Sequence, residues 1–147
     1  MAKFIFKFEN ILKIKYKVEE QRKAEFGMAM KRLEDAKQSL VDMLIRQDEY
    51  EILLTELAQN GASALELKQA SEKIDVIKVY VVNIKEQIVI EEGRVEIARN
   101  NFNEAMKERK IFEKLKEKEF ERFKLEVNAQ EMKEVDELVS FKYSDRA

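Results

Sequence analysis

A step of three residues and then four, repeated from Phe26, lands on Phe26, Ala29, Leu33, Ala36, Leu40, Met43, Gln47, Tyr50, Leu54 and Leu57, nine of ten apolar or aromatic. The same step from Leu67 lands on Leu67, Ala70, Ile74, Ile77, Val81, Ile84, Ile88, Glu91, Val95, Ala98, Phe102 and Ala105, eleven of twelve apolar. Each series is a heptad seam, a narrow stripe on a long helix that is stable only when buried against another stripe. A strict 3.5-residue repeat drifts across a straight helix of 3.6 residues per turn, so the pair predicts a left-handed supercoil. No proline occurs in the 147 residues, so no helix interior is forced to kink or stop, and the breakers must be sought among three glycines.

Between the seams lies Gln59-Asn60-Gly61-Ala62-Ser63-Ala64-Leu65-Glu66. Gly61 suits the left-handed position after a helix, and Ser63 with Glu66 makes an S-x-x-E capping box for the next one. A connector this short joins antiparallel neighbours. The fold class expected is all-α, one long antiparallel two-helix coiled-coil hairpin with the second helix longer. Helix 1 covers about 8–58, the tip loop 59–63, helix 2 about 64–138, and a flexible tail 139–147. At 1.5 Å per residue the helices are about 75 and 110 Å long. With the tip at Gly61, residue i faces roughly residue 122 minus i. That places Gly27 near Val95 and Gly93 near Ala29, marking a thin or bendable point, and sets the odd Glu91 opposite Lys31.

Past Leu115 the seam fades into Phe112, Leu115, Phe120, Phe123 and Val127 among dense charge. Two readings stand open: Phe4, Phe6 and Phe8 fold back over these aromatics, or the aromatics form an apolar surface kept for a partner. Charge is uneven as well. Residues 1–23 hold seven Lys or Arg against three Glu, residues 24–73 six against ten acids, residues 104–124 eight against six, and residues 125–147 three against six. The basic residues alternate with Glu, as in Glu113, Lys114, Glu117 and Lys118, which reads as a solvated helix face rather than a nucleic-acid patch.

The chain has no cysteine and no histidine. Thiol nucleophiles, imidazole bases, disulfides and Cys/His metal sites are therefore excluded, and no cofactor or metal is expected. A bare hairpin offers no water-excluding pocket to perturb carboxylates such as the Glu91-Glu92 pair, so no enzyme is expected. The uncharged stretch Val79–Ile84 near the middle is far short of the ~20 apolar residues of a membrane span, and no secretory signal is readable at the N-terminus. A cytosolic protein without direct membrane insertion is expected, and a monomer, since the intramolecular pairing consumes the one stripe on each helix; an arm-swapped dimer would bury the same seam.

The opening KFIFKFENILKIK resembles the F-x-F-x-L-x-x-V-L-x-L-R start of the FliJ family of flagellar export proteins. Asn100 to Phe123, NNFNEAMKERKIFEKLKEKEFERF, is similar to that family's E-A-x-x-E-R-K-x-x-E-K-L-K-E-x-x-x-E-R-F segment, and QEMKEVDELV, Gln130 to Val139, to its closing E-x-K-x-x-D-E-x-A. Length, hairpin pattern and the Gln47, Glu49, Tyr50 element agree.

The resemblance implies a non-enzymatic component of the flagellar type III export apparatus at the cytoplasmic face of the cell membrane. Its implied partners are the hexameric flagellar export ATPase, the export gate membrane protein and export chaperones, and the implied fold likeness is to the coiled-coil stalk of rotary ATPases. Candidate ATPase contacts are Arg109, Lys110, Phe112, Lys114, Lys116, Phe120, Arg122 and Phe123 at the open end, with Lys107 and Lys124 beside them, facing an acidic lining. Candidate gate contacts are Met43, Arg46, Gln47 and Tyr50. For the last two a plainer account stands beside the binding one: a polar seam residue fixes register, and Tyr50 is core. A generic structural or chaperone-like coiled coil unrelated to flagella would explain the periodicity equally well, though not the terminal motifs.

Overall fold

The computed structural model describes residues 2–146, which form two α-helices and no strand. Helix α1 spans Glu9–Gln59 and helix α2 spans Ala64–Arg146, so the chain is an all-α hairpin with the longer helix second. Helix α2 runs on through the segment where the fading seam predicts a tail. Residues 139–146 contain neither glycine nor proline, so nothing local stops the helix there, while Ala147 lies outside the described residues.

The connection is built by the residues that the sequence marks. Gly61 has φ 75°, the left-handed conformation that costs an L-residue with a Cβ about 1–2 kcal/mol. Beyond it the Ala62 N–H donates to the Leu57 carbonyl at 3.0 Å, the wrapped 6→1 bond of a Schellman cap. Ser63 then caps α2, its Oγ accepting the Glu66 N–H at 3.2 Å.

Contacts gather into two compact units, Arg22–Phe102 and Met1–Gln21 with Asn103–Ala147. In the first, every position of the two heptad series from Phe26 to Leu57 and from Leu67 to Phe102 is buried or half-buried, and Ala70, Ile74, Ile77 and Val81 are no more than 8% exposed. The register differs from a tip centred on Gly61: Phe26 meets Phe102, ring centroids 6.2 Å apart, and Arg99, rather than the region of Glu96. Pairing the two series rung by rung outward from Leu57 and Leu67 accounts for about two residues of this shift, because the four non-helical residues 60–63 centre the loop past Gly61.

Glu91 is accordingly not paired with Lys31. Its Oε1 accepts Gln87 Nε2 at 2.8 Å and Arg94 Nη1 at 2.9 Å on its own helix, while Lys31 is exposed and off the seam. Gly27 and Gly93 are exposed, and a Cβ at either would meet nothing within 4 Å. Neither is needed for close approach, so Gly27→Ala and Gly93→Ala should each stabilise the helix by about 0.5–1 kcal/mol. Thermal melts followed by circular dichroism check this, and a fall in midpoint would show that the backbone there bends in solution.

In the other unit the seam continues on unexpected residues. Leu12, Lys15 and Glu19 on α1 and Ala105, Arg109, Phe112, Lys116, Glu119 and Phe123 on α2 keep the three-four spacing, and all are buried or half-buried. The segment before α1 lies against α2: Phe4 packs on Phe120 and Phe123 at 5.1 and 5.5 Å, Phe8 packs on Phe112 at 6.2 Å, and Phe6 is 5% exposed. The fold-back reading of the N-terminal phenylalanines is the one realised.

Candidate partner-binding surfaces

Arg109 anchors the polar part of the seam. Its Nε and Nη2 fork onto Glu19 Oε2 and Oε1 at 2.6 and 2.9 Å, and Nη1 reaches Glu113 Oε2 at 2.9 Å. The guanidinium lies 5.8 Å from the Tyr16 ring, and the Tyr16 hydroxyl donates to Glu113 Oε1. The Glu19 hydrogen bond raises Arg109 above its already high ordinary pKa, with partial desolvation opposing and the Glu19 charge adding. A cation with a raised folded-state pKa contributes stability that is lost only as pH rises through that value. Arg109 therefore stays charged and paired through the whole working range of a protein. Around it Lys15 pairs with Glu108 at 2.8 Å and Lys116 with Glu9 at 2.9 Å.

These pairs sort the residues that the sequence nominates as ATPase contacts. Arg109 and Lys116 are engaged across the hairpin, and Phe112 and Phe123 are half-buried under Phe8 and Phe4. Phe120 is partly covered by Phe4 and 39% exposed, with Lys124 at 4.6 Å from its ring. Lys110, Lys114 and Arg122 are exposed, as is Lys107, and among the described residues none of these four has an ion-pair partner. The alternation of Lys with Glu thus leaves these cations unneutralised.

The other surface belongs to the unit Arg22–Phe102. An open groove of about 860 Å³ runs along one flank of the seam, lined from α1 by Met43, Arg46, Glu49, Tyr50 and Leu53, and from α2 by Lys73, Val76, Ile77 and Tyr80 among others. Its floor is seam, Met43 and Tyr50 from α1 and Ile77 from α2. Its walls are mixed, with Leu53, Val76 and Tyr80 at 43, 55 and 53% exposure beside Arg46, Glu49 and Glu72. Lys73 sits 5.8 Å from the Tyr50 ring, a cation–π contact between the two helices at the groove.

Three of the four residues nominated for the gate therefore line one concavity, and Gln47 does not. It is half-buried on the seam, with its Nε2 donating to Glu51 Oε1 at 3.2 Å. The α2 wall, Lys73, Val76 and Tyr80, went unnominated, although the antiparallel register itself points from Tyr50 to the neighbourhood of Glu72 and Lys73. No group of three His, Cys, Asp or Glu side chains able to hold a metal occurs among the described residues, and no described helix is long and apolar enough to cross a membrane.

Comparison with known proteins decides the family. The model of the flagellar FliJ protein family matches residues 4–147. The chain belongs to the FliJ family. It is also similar to the flagellar FliJ protein of Bacillus subtilis (strain 168), 23% identical over 133 residues that cover 90% of each chain. No solved structure matches. Membership makes this a flagellar, export-associated protein that is not an enzyme, and the FliJ match spans both the aromatic, charged-seam unit and the grooved unit.

Proposed function

We propose that this FliJ-family chain couples the flagellar export ATPase ring to the export gate at the cytoplasmic face of the membrane, and assists delivery of substrates and their chaperones. The observation that carries the reading is the family match over residues 4–147. Two features of the fold support it. The exposed cations Lys107, Lys110, Lys114 and Arg122 have no ion-pair partner among the described residues and suit an acidic protein lining, to which they add on-rate and specificity. The groove at Met43, Arg46 and Tyr50 is apolar at its floor and mixed in charge at its rim, the anatomy of a surface that receives a partner segment.

The roles divide accordingly. Arg109, Lys116, Phe112 and Phe123 hold the hairpin in shape, with Phe120 at the edge, while Lys110, Lys114 and Arg122 make the ATPase contact. Met43, Arg46 and Tyr50 receive the gate protein, with Gln47 fixing the helix beneath them.

ATP hydrolysis by the cognate flagellar ATPase, measured with and without this protein over a titration at two salt concentrations, is the test. Stimulation that saturates at low stoichiometry, weakens with salt and falls at least tenfold in apparent affinity for Lys110→Glu/Lys114→Glu/Arg122→Glu is expected. Unchanged hydrolysis and ring assembly with helical, soluble protein would remove the coupling mechanism and leave chaperone escort as the better account.

A further inference from the structure

Within the unit formed by Met1–Gln21 and Asn103–Ala147, residues 3–7 precede α1 and are held almost wholly by side-chain packing. Their exposure alternates: Phe4 is half-buried and Phe6 is 5% exposed, whereas Lys3, Ile5 and Lys7 are exposed, Ile5 at 79%. Among the described residues their one hydrogen bond runs from the Glu9 N–H to the Phe6 carbonyl at 3.2 Å, and none of their side chains forms an ion pair. Phe4 stands between two open hollows of about 530 and 380 Å³, one lined also by Leu12, Tyr16 and Glu117, the other by Glu119, Arg122 and Glu126. Its ring rests on Phe120 and Phe123 with room on either flank.

The surface beneath stands without this segment. Phe120 and Phe123 stack on each other at 6.5 Å and 20°, and with Phe112 and Val127 they fall within an arc of about 80° on α2 at 100° per residue. The helices are tied together independently, by the buried Leu12 and by the pairs Lys15–Glu108, Glu19–Arg109 and Glu9–Lys116. Phe8 stays with them, since its carbonyl accepts the Leu12 N–H at 2.9 Å and its ring packs on Phe112. Ordering five residues opposes the burial of two rings, terms of similar size, and only one backbone bond is lost on opening.

We propose that residues 3–7 are a displaceable latch. Pivoting at Phe8, they lift Phe4 and Phe6 off α2 and bare the row Phe120, Phe123 and Val127 while the helices stay paired. The closed state predominates, because Phe6 is buried in it. What displaces the latch shares its chemistry, an apolar segment with aromatic side chains two apart and cations beside them, since Glu117, Glu119 and Glu126 line the hollows around Phe4. The motion does not rest on the coupling reading. It bears on that reading, because Arg122 lines the same hollow as Lys3, Phe4 and Ile5, so the closed latch stands beside a proposed ATPase contact.

Binding of a peptide of residues 2–7, AKFIFK, to the full chain and its variants, followed by nuclear magnetic resonance, tests the proposal. A chain lacking residues 2–7, confirmed helical by circular dichroism, should take the peptide at least tenfold more tightly than the full chain, where the latch competes for the row. Phe4→Ala, which keeps the backbone and Phe6, should fall between the two. With no native cysteine, Ile5→Cys and Glu126→Cys, which line one hollow, can be joined by a reducible bis-maleimide; the tether should abolish binding and reduction should restore it. Equal affinity with and without the latch, a full chain that never admits the peptide, a shortened chain that loses its helices or leaves the peptide free, or binding indifferent to the tether would overturn it.

Discussion

Truncating Ile77 to alanine is expected to lower stability by about 2–4 kcal/mol, whereas Ile97→Ala should change it by no more than about 0.5 kcal/mol. Both are β-branched residues of the same helix, and they differ in where the heptad puts them. Ile77 is 8% exposed on the seam and forms the floor of the groove, so deletion removes its transfer energy and leaves a void that two stiff helices can only partly close. Ile97 is 63% exposed and its loss leaves only water behind. On a chain of this length the Ile77 change corresponds to a fall of roughly 8–15 °C in melting midpoint. Equal costs at the two sites would mean that the helices do not pair along the stripe containing Ile74, Ile77 and Val81.

The same variant separates structure from recognition at the groove. Tyr50 and Arg46 stand on the opposite helix, so a chain weakened at Ile77 but still helical tests whether the proposed binding of the gate protein depends on the Ile77 side of the groove.

The seam of the unit Arg22–Phe102 is legible in the sequence because one physical term, burial of apolar surface, dictates both which residues appear and how often. Gly61 and Ser63 are legible for a different reason, each supplying a backbone conformation or a hydrogen-bond acceptor that few residues can. Register is less so. It depends on where the loop centre falls to within a residue, and on which rung a long side chain reaches, and neither is written in the pattern. The charged seam at Lys15, Glu19, Arg109 and Lys116 was hidden altogether, because a search for apolar periodicity is blind to positions held by ion pairs. Taken by spacing alone these residues continue the same heptad. The groove is half legible: its α1 side draws notice through Tyr50, but a concavity needs two sides, and Val76 and Tyr80 look like ordinary surface residues until the register is known.

Glu91→Leu is expected to raise stability by about 1–3 kcal/mol, an uncommon direction for a change at a buried site. The carboxylate occupies a seam position at 5% exposure, and its Oε2 has no hydrogen-bond partner while Oε1 takes Gln87 and Arg94. An orphaned buried acceptor costs on the order of 1–3 kcal/mol, and leucine removes it while completing the apolar row between Ile88 and Val95. The bonds surrendered are cheap to lose, since the Arg94 side chain is 57% exposed and returns to water. What leucine also removes is a marker of register: an uninterrupted stripe packs almost as well one heptad out of step, whereas a lone polar residue penalises most misalignments. The variant should therefore melt several degrees higher, yet show weaker hydrogen-exchange protection contrast between seam and flank if alternative registers become populated. A lower melting point would mean that Oε2 is satisfied in solution, by water held against the seam, and that Glu91 is a bonded member of the core.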